Sequence, residues 1–181
     1  MRRLLTTAIA LALAGSATAA LARPAAPAPA DAQVDATTQL PRDVRPTNYD
    51  VEIVPHAERL AFDGKVRINL DVLKPTRSIT LNAVDMAFSS VRLGRAQGQD
   101  LVPKVAMDAA AQTATFTFDR ELAPGSYLLS IDYSGKIGTQ ANGLFALDYP
   151  TASGNKRALY TQFENSDARR FIPSWDEPSL K

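Results

Sequence analysis

Lys65-Val66-Arg67-Ile68-Asn69-Leu70-Asp71-Val72 alternates strictly between apolar and polar side chains. An extended chain with a period of two puts Val66, Ile68, Leu70 and Val72 on one face and Lys65, Arg67, Asn69 and Asp71 on the other, which is the pattern of a long, half-buried strand. The same reading extends outward in both directions. Upstream, Tyr49, Val51 and Ile53 alternate with Asp50, Glu52 and Val54. Downstream, Ile79 and Leu81, then Val91 and Leu93, mark two shorter strands, and Ala114, Phe116 and Phe118 alternate with three threonines. Tyr127, Leu129, Ile131 and Tyr133 form another strand, opened by the turn signal Pro124-Gly125. Strands joined by short turns, without an amphipathic helix between them, predict an all-β fold. We expect an antiparallel β-sandwich or saddle-like sheet rather than a βαβ arrangement. The body from Leu40 onward has the length of one domain with its own core and shows no internal repeat.

The polar groups are concentrated at 158–178, Ala-Leu-Tyr-Thr-Gln-Phe-Glu-Asn-Ser-Asp-Ala-Arg-Arg-Phe-Ile-Pro-Ser-Trp-Asp-Glu-Pro. The β-prone run Leu159 to Phe163 predicts a strand ending at Glu164. Ser166 and Asp167 offer helix-capping oxygens, and Pro173 and Pro178 break the chain. On such a strand Gln162 and Glu164 share a face while Phe163 points the other way. From spacing alone two readings stand. The amide and carboxylate form a receptor for a cation, or they are the polar end of a strand, with Glu164 paired to Arg169 or Arg170.

Thr161-Gln162-Phe163-Glu164, Asp167-Ala168-Arg169-Arg170, Pro173 and Asp176-Glu177-Pro178 resemble the signature closing the N-terminal domain of the aminopeptidase N family of zinc metallopeptidases. The opening Leu40-Pro41-Arg42-Asp43-Val44-Arg45-Pro46-Thr47-Asn48-Tyr49-Asp50 and the later Gly143-Leu144-Phe145 are similar to that family as well. The resemblance implies that Gln162 and Glu164 bind the free α-ammonium group of a peptide substrate. They would border the pocket for its first side chain, inside the active site of a catalytic domain that follows. It also implies a zinc-activated water as the agent of hydrolysis in the full-length enzyme. This chain has one histidine, His56, and no cysteine, so the His-Glu-x-x-His zinc motif is absent, as is the family's Gly-x-Met-Glu-Asn segment. We therefore expect no zinc bound by this chain, no catalytic residue in it, and no activity from it alone. We also expect that residues 40–181 are the incomplete N-terminal β domain of a longer enzyme. His56 reads as a solvent-facing or turn residue, and Arg169 and Arg170 as structural, with their forked donors directed at Asp176, Glu177 or backbone carbonyls.

The N-terminus predicts export. Arg2 and Arg3 precede an apolar run, Leu4 to Ala14, and Ala17-Thr18-Ala19 and Ala20-Leu21-Ala22 are both suitable cleavage sites, so residues 1–22 read as a signal peptide. That run is well short of the roughly 20 residues that span a bilayer, and no stable membrane span is expected. Residues 23–39 are rich in proline and alanine and read as a flexible linker. A bacterial protein of the periplasm or medium fits this organisation. Removing Arg2 and Arg3 with the leader leaves 18 basic against 19 acidic residues, a net charge of −1. Near-neutrality without a basic stripe argues against a nucleic-acid partner.

Two other functions compete. A secreted, non-catalytic β-sandwich binding a partner or carbohydrate would equally lack catalytic machinery. A branch of the same superfamily hydrolyses lipid epoxides, but its position matching Glu164 is not reliably acidic, so the resemblance favours peptides. Asp63-Gly64-Lys65 and Asp119-Arg120-Glu121 read as turn and solvent-face charges. Gly135, Gly138, Asn142 and Gly143 read as a surface loop leading to the signature strand.

Overall fold

The alternating segments form antiparallel strands, longer than the patterns that announce them, in a computed structural model that describes residues 40–95 and 98–180. The predicted signal peptide and linker lie outside the described residues. The strands are β1 (Val44–His56), β2 (Ala61–Val72), β3 (Thr76–Asn82), β4 (Ala87–Gly94), β5 (Lys104–Asp108), β6 (Thr113–Leu122), β7 (Gly125–Lys136), β8 (Gly143–Thr151) and β9 (Gly154–Gln162). Among the described residues the only helical segments are single 3-10 turns, so the all-β class holds.

Three sheets result, ordered β1-β2-β7-β4, β3-β6-β5 and β8-β9. In the first, β2 pairs in continuous register with β7, Val66 opposite Ile131 and Ile68 opposite Leu129. The apolar face it presents is the one the octapeptide predicts, since Val66, Ile68, Leu70 and Val72 are all buried. Ile79 and Leu81 on β3 and Ala114, Phe116 and Phe118 on β6 join them in one core. Phe88 of β4 meets Phe116 of β6 edge-on, with ring centroids 5.7 Å apart, which places the two larger sheets against each other as a sandwich.

Asp63-Gly64-Lys65 is not a turn. It lies inside β2, with Gly64 opposite Tyr133. The Tyr133 ring lies over the glycine so closely that an added Cβ would sit 2.3 Å from its Cζ. A glycine inside a strand marks this kind of close approach. Asp63 and Lys65 do face solvent, as do Asp119, Arg120 and Glu121 on β6.

The β8-β9 ribbon stands beside the sandwich and is anchored by one face. Leu144 and Ala146 enter the core. Gly138 N–H donates to Leu144 O (2.8 Å), and Ala146 N–H donates to Gly138 O (2.9 Å). Arg157 on β9 donates from Nη1 to Ala57 O (2.8 Å) and makes a two-pronged contact with Asp148 on β8 (2.6 and 2.8 Å). That contact holds the Asp148 carboxyl below its ordinary range and raises the Arg157 guanidinium above its own.

Candidate amine-binding site at the end of the ribbon

The chain leaves β9 at Gln162 and returns to the sandwich through residues 163–177, and aromatic stacking fixes the return. Phe163 stacks on Phe171 with centroids 5.3 Å apart. Phe171 tilts onto the fully buried Phe62 at 5.8 Å, and Phe62 meets Tyr133 edge-on at 6.1 Å. Tyr133 then donates its hydroxyl to Phe171 O (2.9 Å) and closes the cluster. Burial raises the Tyr133 phenol far above its ordinary range, so the hydroxyl is a donor at any physiological pH.

Polar contacts hold the rest of the segment. Ser174 exchanges backbone hydrogen bonds with Asn82, whose Oδ1 also accepts from Asp176 N–H (3.2 Å). Trp175 N–H donates to the Tyr49 hydroxyl (3.1 Å), and the Glu177 carboxylate accepts from Leu40 N–H. Arg169 Nε donates to Asp176 Oδ2 (3.1 Å), Nη2 to Asp176 O (3.2 Å) and Nη1 to Gln112 Oε1 (3.2 Å). Arg170 Nε donates to Asp167 Oδ1 (2.8 Å), and its Nη1 lies 3.7 Å from Asp85. The structural reading of both arginines is thus realised, through Asp176 and Asp167. Asp167 does stand at the start of the 3-10 turn Ala168–Arg170, but its side chain makes no capping bond. The predicted cap fails because Arg170 takes the carboxylate.

Gln162 and Glu164 emerge from this clamped base. Both are exposed. The strand ends at Gln162, two residues earlier than the spacing suggests, so the period-two argument does not reach Glu164, which sits in the turn. What joins the two is a local bond, Glu164 N–H donating to Gln162 Oε1 (3.1 Å). Among the described residues no ion pair or hydrogen bond reaches the Glu164 carboxylate. Its pairing with Arg169 or Arg170 does not occur. Phe163, also beyond the strand, is half-buried against Phe171 and is the residue that pins the turn.

His56 is the last residue of β1 rather than a turn residue, and its Nε2 lies 2.8 Å from Asp63 Oδ2. Among the described residues no three or more His, Cys, Asp or Glu side chains are grouped to hold a metal ion. Cavities of about 240 and 420 Å³ lie away from Gln162 and Glu164. The smaller is lined by Leu40, Val44, Leu73, Trp175 and Leu180, the larger by Leu93, Arg95, Leu122 and Tyr127. Sequence reasoning missed Gln112 as the outer acceptor of Arg169, because it lies 57 residues away. Tyr160, exposed beside Gln162, carries no sequence signal either, because β8, the strand opposite it, shows no alternation and is not predicted from the sequence.

Residues 45–181 match the Peptidase M1 N-terminal domain. Aminopeptidase N of Acetobacter pasteurianus is 38% identical over 147 residues, covering 81% of this chain and 40% of the relative. Aminopeptidase M1-B of Oryza sativa subsp. japonica is 35% identical over 146 residues, covering 79% of this chain and 16% of its own length. Endoplasmic reticulum aminopeptidase 1 of Rattus norvegicus is 30% identical over 149 residues, with the same coverage of 79% and 16%. The chain therefore spans less than half the length of each of these relatives.

Proposed function

This chain belongs to the M1 peptidase family through its N-terminal domain, and from that premise we propose that it is the substrate-amine-binding portion of a zinc aminopeptidase. The enzyme would remove N-terminal amino acids from peptides. The observation that carries the reading is the exposed, unneutralised Glu164 beside Gln162, held at the end of the ribbon while both neighbouring arginines are engaged elsewhere. Glu164 accepts hydrogen bonds from the substrate ammonium. Gln162 Oε1 already accepts from Glu164 N–H, and its second lone pair accepts a further N–H from the substrate. A chain with an acylated terminus loses the charge and keeps one N–H, so it cannot make both contacts.

The zinc of such an enzyme finds no donor set in this chain, which has one histidine and no cysteine, and the described residues contain no suitable cluster. In this reading its ligands belong to the catalytic domain, which is the partner this domain works with, and the proposal assigns no activity to the chain by itself. The predicted leader, residues 1–22, supports export to the periplasm or medium. Among the described residues no helix is long and apolar enough to cross a membrane.

The test is Glu164→Gln in the full-length enzyme. Hydrogen bonds to charged groups contribute about 1.5–3 kcal/mol each, so KM for substrates with a free amine rises roughly 10- to 100-fold. Zinc content stays unchanged. Equal KM values for variant and parent would remove the proposal.

A further inference from the structure

We infer that Tyr160, supported by Phe145, is a specificity-determining wall beside the amine-binding pair and favours substrates with a large apolar first side chain. The inference deepens the proposed function and rests on it. Its basis is the register of the ribbon, in which Phe145 lies opposite Tyr160 and Gly143 opposite Gln162 without a bulge. Directly opposed residues share a face, and so do residues two apart on one strand. Tyr160, Phe145 and Gln162 therefore share one face, opposite to that of Leu144 and Ala146, which enter the core.

The two rings are in tilted contact, with centroids 5.9 Å apart and 30° between their planes. Phe145 is only 8% exposed beneath, whereas Tyr160 is 51% exposed above it. An exposed aromatic ring resting on a buried one is already oriented, so a ligand that contacts it does not bear the full cost of ordering the side chain. Opposite Gln162 stands Gly143, and the Arg170 side chain fills the place that a side chain there would take. Gly143 has φ +64°, and a Cβ there would meet Arg170 Cβ at 2.8 Å. The face at this level thus consists of Gln162 and the Arg170 side chain packed on Gly143, with the apolar pair Tyr160 and Phe145 as the next row.

Two residues along a strand advance about 7 Å. That is comparable with the span from an α-nitrogen to the distal atoms of a leucine or phenylalanine side chain. A substrate with its ammonium at Gln162 and Glu164 can lay such a side chain against Tyr160, whereas the methyl group of alanine falls short.

The experiment compares leucine p-nitroanilide with alanine p-nitroanilide on the full-length enzyme carrying Tyr160→Ala, Tyr160→Thr or Tyr160→Phe. Hydrophobic contacts of this size discriminate by roughly tenfold or more. The leucine-to-alanine ratio of kcat/KM should fall about tenfold in Tyr160→Ala. Tyr160→Thr, which keeps strand propensity, should behave the same way, and Tyr160→Phe should retain the ratio. An unchanged ratio in the Ala and Thr variants overturns the wall, as does an equal loss on both substrates. Glu164→Gln, measured alongside, affects both substrates alike and decides the amine site alone. The ratio in the Tyr160 variants decides the wall alone, so the two failures are distinguishable.

Discussion

Replacing Arg169 by methionine should cost this domain about 3–5 kcal/mol of stability, because it removes the positive countercharge of a buried carboxylate. The Asp176 side chain is 0% exposed and that of Arg169 13%, so neither charge has water as an adequate substitute partner. Methionine removes the Nε bond to Asp176 Oδ2, the Nη2 bond to Asp176 O and the Nη1 bond to Gln112. The Coulombic attraction of the pair only offsets the desolvation of two ions, which is why an intact buried pair adds little net stability. Loss of one member leaves the whole penalty of the other. The companion variant Asp176→Leu should be costly for the reciprocal reason, while Arg169→Met with Asp176→Leu removes both charges and recovers part of the loss. Urea unfolding monitored by Trp175 fluorescence measures all three. The cycle should yield a coupling energy of at least about 1.5 kcal/mol, within the range for residues in direct contact. An Arg169→Met variant losing less than about 1 kcal/mol, a figure ordinary for exposed pairs, would refute the reasoning. So would strict additivity of the two single changes.

Gly64→Ala places a Cβ where the Tyr133 ring now lies and should lower stability by about 1–3 kcal/mol, as overpacking does. Because Tyr133 also holds Phe171 O, faster amide exchange at 163–171 should accompany that loss, and unchanged exchange there would contradict the proposed link. Tyr49 gives a pH prediction, since burial pushes its phenol up to about 12. Below pH ~10 the phenol is protonated in both states, but between about 10 and 12 the unfolded chain loses its proton first, so stability falls with rising pH. Tyr49→Phe loses the bond from Trp175 N–H, about 1 kcal/mol at neutral pH, and its deficit relative to the parent should shrink as pH rises from 9 to 11.5. A constant deficit across that range would rule this out.

Where a strand buries one face against the sandwich, the sequence alternates and the strand is legible, as for β2, β6 and β7. The strands that escaped notice lack that asymmetry. All five residues of β5 are exposed, and β8 runs Gly-Leu-Phe-Ala-Leu without alternation. Both faces of β8 are covered near Leu144 and Phe145, one by the core and the other by Tyr160, before its outer half emerges into solvent. Gly64 reads as a turn from the sequence because the reason for a glycine there is an aromatic ring 69 residues away, at Tyr133. Local spacing places Glu164 on a strand because it carries no trace of the Phe163–Phe171 stack just beyond the end of β9. Arg169 and Asp176 were legible together because the turn keeps them close along the chain, whereas Gln112 was not.

The exposure of Glu164 also bears on where discrimination arises under the proposed function. A carboxylate in open water gains about 0–1 kcal/mol from a cation, because solvent screens the charge and both groups must be ordered. The domain alone therefore has the orientation needed to recognise an ammonium group but not the medium. Orientation is supplied by the buried base, through the Phe163 stack, the Tyr133 hydroxyl and the two engaged arginines, all of which fix the turn without using Glu164. The medium has to come from a second surface that covers the end of the ribbon and excludes water. Tyr160, half exposed beside Gln162, gives that end an apolar margin against which such a surface and the substrate side chain close. On this argument the buried clamp and the exposed pair have separate duties. Changes such as Arg169→Met act on amine recognition through loss of geometry, whereas Glu164→Gln removes the charge and leaves the geometry in place.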